Sequence, residues 1–595
     1  MLEGWIVRRV CSSLSILLTL FGAVRAEERP SLLSVRVGEV VDDLRFKDIR
    51  FVGRSLGDFH DTKVLVIVFT DTHCPVASRY MPRLEALWRE YRPRGVVFLG
   101  MNSSPDDGMV EMAAYALEKN LTFPQHKDFD QSVMRRLGVE RTPEVVVLDA
   151  RRVLCYRGRI DDQFRTTGAR PTIGRGYLKE AIDAALVGRS PKTVRTPVDG
   201  CKITLRRAPS MEGVTYCEHV APIIQRRCQP CHRPHQQAPF SLLDYRDARR
   251  HAERIREVVE QRQMPPSFSD PRHGSFAKER RLSGEEIDTV LAWVDADVPE
   301  GDREKLPAPI EWPDREWLID EPDLVLEARE FRIPATGYVD YRYHVFDYEI
   351  AHDMWINQIQ ILPGNRRVVH HANLYARHSR SLSRFSRFIT GHVPGGDVTR
   401  YGKAAGIRLP AGSRLQLQIH YTTTGREEVD RTRVGFVFPK QTIRRKVRCM
   451  FLFNRGFAIA PGDPAYEVTA RGKFTRRAVG IGLLSHMHLR GRDMEFTATC
   501  SDGRREVLLS IPNYSFDWQL AYRWKDGSMV FPAGTEIATR SHYDNSSFNP
   551  FNPDSTVTVR FGLQSYHEMN FGFLFYYEPD EKLDVTVDPR TGRTR

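Results

Sequence analysis

KVLVIVFTDTHCPVASRYMPRLEALWREY (63–91) is a continuous apolar run followed at once by an amphipathic one. KVLVIVF (63–69) has no polar alternation, so it reads as a strand buried on both faces. ASRYMPRLEALWREY (77–91) sets Leu84, Leu87 and Trp88 on one face of a helix. GVVFLGMN (95–102) and EVVVLDA (144–150) read as two further buried strands. Strands alternating with helices imply a parallel or mixed sheet with helices packed on it. The link THCPVAS (72–78) places Cys74 at a helix N-terminus, where free N–H groups and the helix dipole favour a thiolate. RTPEVVVLD (141–149) puts Pro143 just before a strand.

These residues resemble the thioredoxin-like fold, redoxin branch, over residues 31–190. In that family the equivalent proline is cis and faces the cysteine. The departures are specific. A thioredoxin pair needs a second cysteine at position 77, which is Ala77 here. A peroxiredoxin carries Thr three residues before its cysteine, where this chain has Asp71. Cys155 is one resolving thiol on offer, in the strand-like segment VLCYRGRI (153–160). Cys74 is therefore read either as a one-cysteine thiol centre or as part of a docking module.

Working outward, residues 1–26 read as a secretory signal. Arg8 and Arg9 open it, Leu14–Val24 is apolar but too short to span a bilayer, and Ala26 closes it. The expected location is secreted or periplasmic. No later segment is apolar and long enough to be an integral membrane span. The 595 residues exceed one core, and 28 % charged with 41 % hydrophobic residues is ordinary globular composition. The formal charge of +12 is spread rather than clustered, so a solvated basic surface is the reading and nucleic acid is not an expected partner. An acidic redox partner protein is. Nine cysteines include Cys11 in the signal. In an exported protein Cys201 with Cys217, and Cys449 with Cys500, are expected disulfides, with connectivity open.

Residues 200–305 read as mostly helical. CEHVAPIIQRRCQPCH (217–232) runs a helix into a CxxCH motif. Thiols at Cys228 and Cys231 with His232 directly after fit covalent haem c attachment, with the imidazole beneath the iron. A zinc site or a Cys228–Cys231 disulfide are the bland alternatives. Met264, before Pro265 and Pro266, is the expected sixth ligand, and His235 is the rival. Ser283 and Glu286 form a capping box for a closing helix. The stretch resembles a monohaem cytochrome c. LPAPIEWPDREW (306–317) opens a linker taken to run over 306–319.

After the linker, short strands of alternating polarity such as RLQLQIHYTT (414–423) and EFTATC (495–500) predict two all-β, jelly-roll-like sandwiches, over 320–440 and 443–582. His486 and His488 are two apart and share a strand face. His370 and His371 are adjacent, so both reach one metal only where the strand ends or bulges. His420 ends an alternating strand. Imidazole suits copper, and a thioether such as Met569 selects Cu(I). His344, His352, His378, His392, His542 and His567 read as surface or core residues.

In this order the segments resemble the copper type II, ascorbate-dependent monooxygenases (peptidylglycine α-hydroxylating and dopamine β-monooxygenases), over about residues 320–580. The resemblance implies a first copper at His370, His371 and His420, and a second at His486, His488 and Met569. It implies O2-dependent hydroxylation of a substrate C–H bond at the second site. The first would supply an electron across a wet cleft. Two family positions that serve a peptide substrate are Leu484 and Phe573 here, so a less charged organic substrate is expected. The whole reads as a multidomain redox enzyme: α/β thioredoxin-like, mainly α cytochrome c, then two β-sandwiches. The haem or ascorbate would be the one-electron reductant. Two alternatives stand beside it: an electron-transfer or copper-binding protein without hydroxylase activity, and a thiol oxidoreductase centred on Cys74.

Overall fold

The computed structural model describes residues 34–595 except 167, 208–210, 235, 237, 313–314, 379–386 and 394. The expected signal peptide and His235 lie outside the described residues. Among the described residues no helix is long and apolar enough to cross a membrane.

Residues 63–91 fold as strand and helix, as expected. β1 (Arg45–Asp48), β2 (Gly53–Ser55), β3 (Val64–Thr70), β4 (Val96–Asn102), β5 (Gln125–Lys127), β7 (Glu144–Asp149) and β8 (Leu154–Gly158) form one sheet, in the order β2-β1-β5-β4-β3-β7-β8. The short β6 (Arg141–Thr142) lies just before β7. β3, β4 and β5 are parallel, while β7 joins β3 antiparallel. Every residue of β3 and β4 is buried, which is why neither strand alternates. Helix α1 (Pro75–Tyr91) lays Leu84 and Trp88 into this core, with Leu87 partly buried. This is the thioredoxin-like arrangement. Its core continues to Ile203, beyond the expected end at 190.

A second core belongs to a small helical body. It contains α2 (Ala221–Arg227), α3 (Tyr245–Arg250), α4 (Ala252–Glu260) and α5 (Gly284–Asp295), the last capped by Ser283 and Glu286 as anticipated.

Two β regions follow, each with its own core. In the first, β10 (Arg342–Ile350), β11 (Val369–His378), β12 (Arg387–His392) and β13 (Ser413–Tyr421) form a sheet ordered β10-β13-β11-β12. In the second, β14 (Arg448–Asn454), β15 (Ala478–His486), β16 (Ala521–Arg523) and β17 (Asn570–Tyr577) form a sheet ordered β14-β17-β15-β16. Residues Arg445–Lys446 still pair with the first region, so the changeover comes a few residues after the expected seam at 440–442. β9 (Cys201–Lys202) pairs antiparallel with β6.

The bodies touch. Arg50 and Asp544 form an ion pair at 3.2 Å, and Phe548 packs on Phe59 and Trp88, joining the thioredoxin-like domain to the second β region. The backbone of Asp270 and Ala277 bonds to Ser510 and Arg523, docking the helical body on the same region.

The expected disulfides are not formed; all eight described cysteines are free thiols. Cys217 is buried in the helical core, whereas Cys201 is held at β6, so the two belong to different bodies. Cys449 lies on β14 and Cys500 follows the strand Gly491–Thr499 in the other sheet of that region.

Candidate functional site

His371 on β11 pairs directly with His420 on β13. The β11 register slips between Val369 and His371, a bulge that turns His370 to the same side as its neighbour. Ring nitrogens of His370, His371 and His420 come within 4.8 Å of one another. Their ring centroids lie 4.9–5.4 Å apart. The two Nδ1 atoms of His370 and His371 face each other at 3.1 Å.

β15 ends at His486, and His488 stands on the loop beyond it with its ring 5.2 Å from that of His486. β15 pairs with β17 so that His486 faces Phe571, and Met569 directly precedes β17. Met569 is buried. The two histidine sets abut: the His371 and His486 rings are 6.3 Å apart. The resemblance implies a wet cleft between the two sets; here the rings of His371 and His486 are near neighbours. Tyr341 packs against His371, His420 and His488, and Phe516 against His370, His371, His420 and His488. The two aromatic rings bridge the two sets.

Several outer residues carry no motif, and sequence reasoning missed them. Asp517 meets Nε2 of His370 at 2.9 Å, Gln519 meets Nδ1 of His486 at 2.6 Å, and the His567 carbonyl meets Nδ1 of His488 at 3.2 Å. Such contacts fix ring orientation and leave the other nitrogen directed inward. Glu568 is fully buried and accepts N–H bonds from His488, Arg490 and Met569 at 2.9, 2.7 and 3.3 Å. It ties the two ligand loops together. The one signal available was its position beside Met569 in HEMNF (567–571).

The fit to a metal can be tested on buried nitrogens without partners. Nε2 of His371, Nδ1 of His420 and Nε2 of His488 are buried and make no hydrogen bond. Burial, then the neighbouring histidines, holds His371 well below its ordinary value and takes His420 down to about 3. Burial likewise lowers His486 and His488. Neutral, unpaired imidazoles in a cluster are what a metal needs and what a protein core otherwise avoids.

Beside His486 lies a cavity of about 90 Å³ walled by Tyr375, Phe388, Leu484, Phe571 and Phe573. Leu484 and Phe573, the two departures noted in the sequence, both face it.

In the helical body Cys228 follows α2, and Cys231 and His232 donate their N–H groups to its carbonyl. Nδ1 of His232 meets the Phe240 carbonyl at 3.2 Å, which leaves Nε2 free. Two free thiols and an oriented imidazole fit a thioether-linked haem. Met264 lines a separate cavity of about 30 Å³ with Val259, Phe268, Leu282 and Ile287, and His232 is not on its wall. Cys228, Cys231 and His232 thus lie on one turn, and Met264 follows α4. The Met264 N–H is tied to the Val258 carbonyl, which holds this residue against α4.

Cys74 caps α1. Its Sγ accepts the Ala77 N–H at 3.4 Å and donates to the Thr142 carbonyl at 3.1 Å. The Thr142–Pro143 bond is cis. Burial opposes ionisation of Cys74, but contacts with Thr142, Ala77 and Cys201 outweigh it and hold the thiol below its ordinary value. Cys155 is not the partner. It sits on β8 between residues that pair with Val147 and Leu148, level with the start of β3, whereas Cys74 follows the end of β3.

A model of the AhpC/TSA family matches residues 37–160. The thiol-disulfide oxidoreductase ResA of Halalkalibacterium halodurans is 25 % identical over 114 residues, which is 19 % of this chain. The chain spans 63 % of that relative's length. Among solved structures, an uncharacterised conserved protein of Geobacillus kaustophilus is 27 % identical, covering 30 % of this chain and 94 % of its own, with a TM-score of 0.26. Peroxidoxin BcpB of Mycobacterium tuberculosis is 17 % identical, covering 26 % and 95 %, with a TM-score of 0.20. Within the N-terminal thioredoxin-like domain, residues 37–160 are thus similar to the AhpC/TSA family.

Proposed function

We propose that the chain is an exported oxidoreductase whose C-terminal β regions form a copper-dependent monooxygenase, hydroxylating a C–H bond with O2. The convergence of five buried or half-buried histidines from two separate sheets carries this reading. His370, His371 and His420 would hold one ion, and His486, His488 and Met569 the other. Copper bound there would supply one-electron steps and O2 activation, which imidazole and thioether donors suit. Asp517, Gln519 and the His567 carbonyl hold the rings in place. Tyr375, Phe388, Phe571 and Phe573 would take the substrate's apolar part beside His486 and keep water from it. Cys228, Cys231 and His232 would anchor a haem c that carries electrons, with ascorbate or a redox partner protein as the outside source.

The test is metal analysis with O2 uptake on the full chain. Reduced, copper-loaded protein is expected to hold two ions and to consume O2 with apolar C–H substrates. X-ray absorption should show a sulfur scatterer that disappears in Met569→Ala. A c-type spectrum that survives acid extraction should accompany it. Two bound coppers with no turnover would favour the copper-binding alternative instead.

The redoxin match over 37–160 supports a second reading, thiol–disulfide chemistry at Cys74. Its low-lying thiol, set against Thr142, favours it. Alkylation rate against pH should report a Cys74 titration below the ordinary thiol value of about 8.5. A midpoint at or above that value leaves a docking module.

A further inference from the structure

The thiol that position 77 lacks is supplied from elsewhere in the chain. Residues 200–203 return to the thioredoxin-like domain after its last helix and pair with its edge. Cys201 pairs with Thr142 and Lys202 with Arg141, antiparallel. The Ile203 N–H donates to the Glu140 carbonyl at 2.9 Å, and the Arg141 guanidinium donates to the Gly200 carbonyl at 2.7 Å. The approach is close: a Cβ on Gly200 would lie 2.0 Å from the Thr142 oxygen, so a side chain there would break the pairing. Thr142 thereby meets both cysteines. Its carbonyl accepts the Cys74 thiol, and its ladder partner is Cys201. Cys201 lowers the Cys74 thiol and Cys74 raises that of Cys201, as neighbouring thiols do.

We propose that Cys74 and Cys201 form a redox-active dithiol–disulfide couple, with Cys74 as nucleophile, Cys201 as resolving thiol and disulfides as the substrate class. The inference rests on the thiol reading of Cys74 given above. In the first step the Cys74 thiolate attacks one sulfur of an external disulfide. A mixed disulfide forms and one external thiolate leaves, taking up a proton. In the second step Cys201, losing its proton, attacks the Cys74 sulfur. The Cys74–Cys201 bond forms and the second external thiol leaves. The substrate gains two electrons and two protons, and the pair loses them.

The division of roles follows from surroundings. Cys74 sits at the start of α1, where the Ala77 N–H stabilises a thiolate. Burial and the adjacent Cys74 push the Cys201 thiol up, which suits the later-reacting partner. Because both cysteines meet at Thr142, the proposed bond joins neighbours at one rung of the β6 ladder.

Reduced full-length protein is exposed to glutathione disulfide, then digested with trypsin without reductant and mapped by mass spectrometry. The expected product is the peptide 64–79 joined to the peptide 196–202, with two glutathione thiols released for each pair. Cys201→Ser should stop at Cys74 carrying glutathione, with a single thiol released. Persistent glutathione on Cys74 of the unaltered protein, with Cys201 free, would overturn the pairing while leaving the thiol reading intact. A Cys74–Cys155 link would do the same. Cys74 that reacts with neither glutathione disulfide nor an alkylating agent would overturn both.

Discussion

His371→Ala is expected to empty the three-histidine site, taking bound copper from about two ions to about one and stopping O2-dependent hydroxylation. His371 is 2 % exposed and central: its ring neighbours those of His370, His420 and His486. Its loss leaves two imidazoles, too few to define a site between β11 and β13. The change is also visible without turnover. A ligand that binds only the folded state stabilises it by about 4 kcal/mol when present at a thousandfold excess over Kd. Copper should therefore raise the melting temperature of the unaltered protein through both sites, and of His371→Ala through one. Metal analysis and thermal unfolding with and without copper check this together. Two ions retained with unchanged affinity would show that His371 is a core residue and not a ligand.

Glu568→Ala is expected to weaken copper at the His486/His488/Met569 site by about 10- to 100-fold, the range seen when an outer partner of a ligand is removed. The carboxylate touches no ring. It acts by accepting three backbone N–H groups, those of His488, Arg490 and Met569. Each N–H left buried and unpaired costs about 1–3 kcal/mol, so stability should fall by several kcal/mol as well. Glu568→Gln keeps an acceptor oxygen and the shape, and should recover much of both. Copper titration against a competing chelator, with denaturant unfolding of the metal-free forms, separates the two effects. Unchanged second-site affinity in Glu568→Ala would show that the loops are held some other way.

The elements that were legible in the sequence are those whose pattern is local. The run 63–91 reads as strand, cysteine and helix because an unbroken apolar stretch and a 3.6-residue stripe lie side by side. The need for a bulge at His370 and His371 follows from strand alternation, and the register slip supplies it. What was not legible depends on partners far apart in the chain. Cys201 meets Thr142 through a ladder between segments some 60 residues apart, and the spacing of Cys201 and Cys217 pointed to a disulfide the fold keeps apart. Tyr341, Phe516 and Gln519 have ordinary sequence surroundings, and only the packing of two β regions makes them neighbours of the histidines.

The pairing of residues 200–203 with Arg141–Thr142 fills the edge at which an extended peptide could add a strand beside Cys74. A segment tethered to its own binding edge competes at an effective concentration on the order of millimolar. Were its intrinsic affinity about micromolar, a free peptide would bind that edge about a thousandfold more weakly than to an open one. The same segment leads directly into the helical body, which is docked on the second β region. Access to the buried Cys74 thus depends on how firmly residues 200–203 hold that edge, so fraying of four residues would set the rate of exchange.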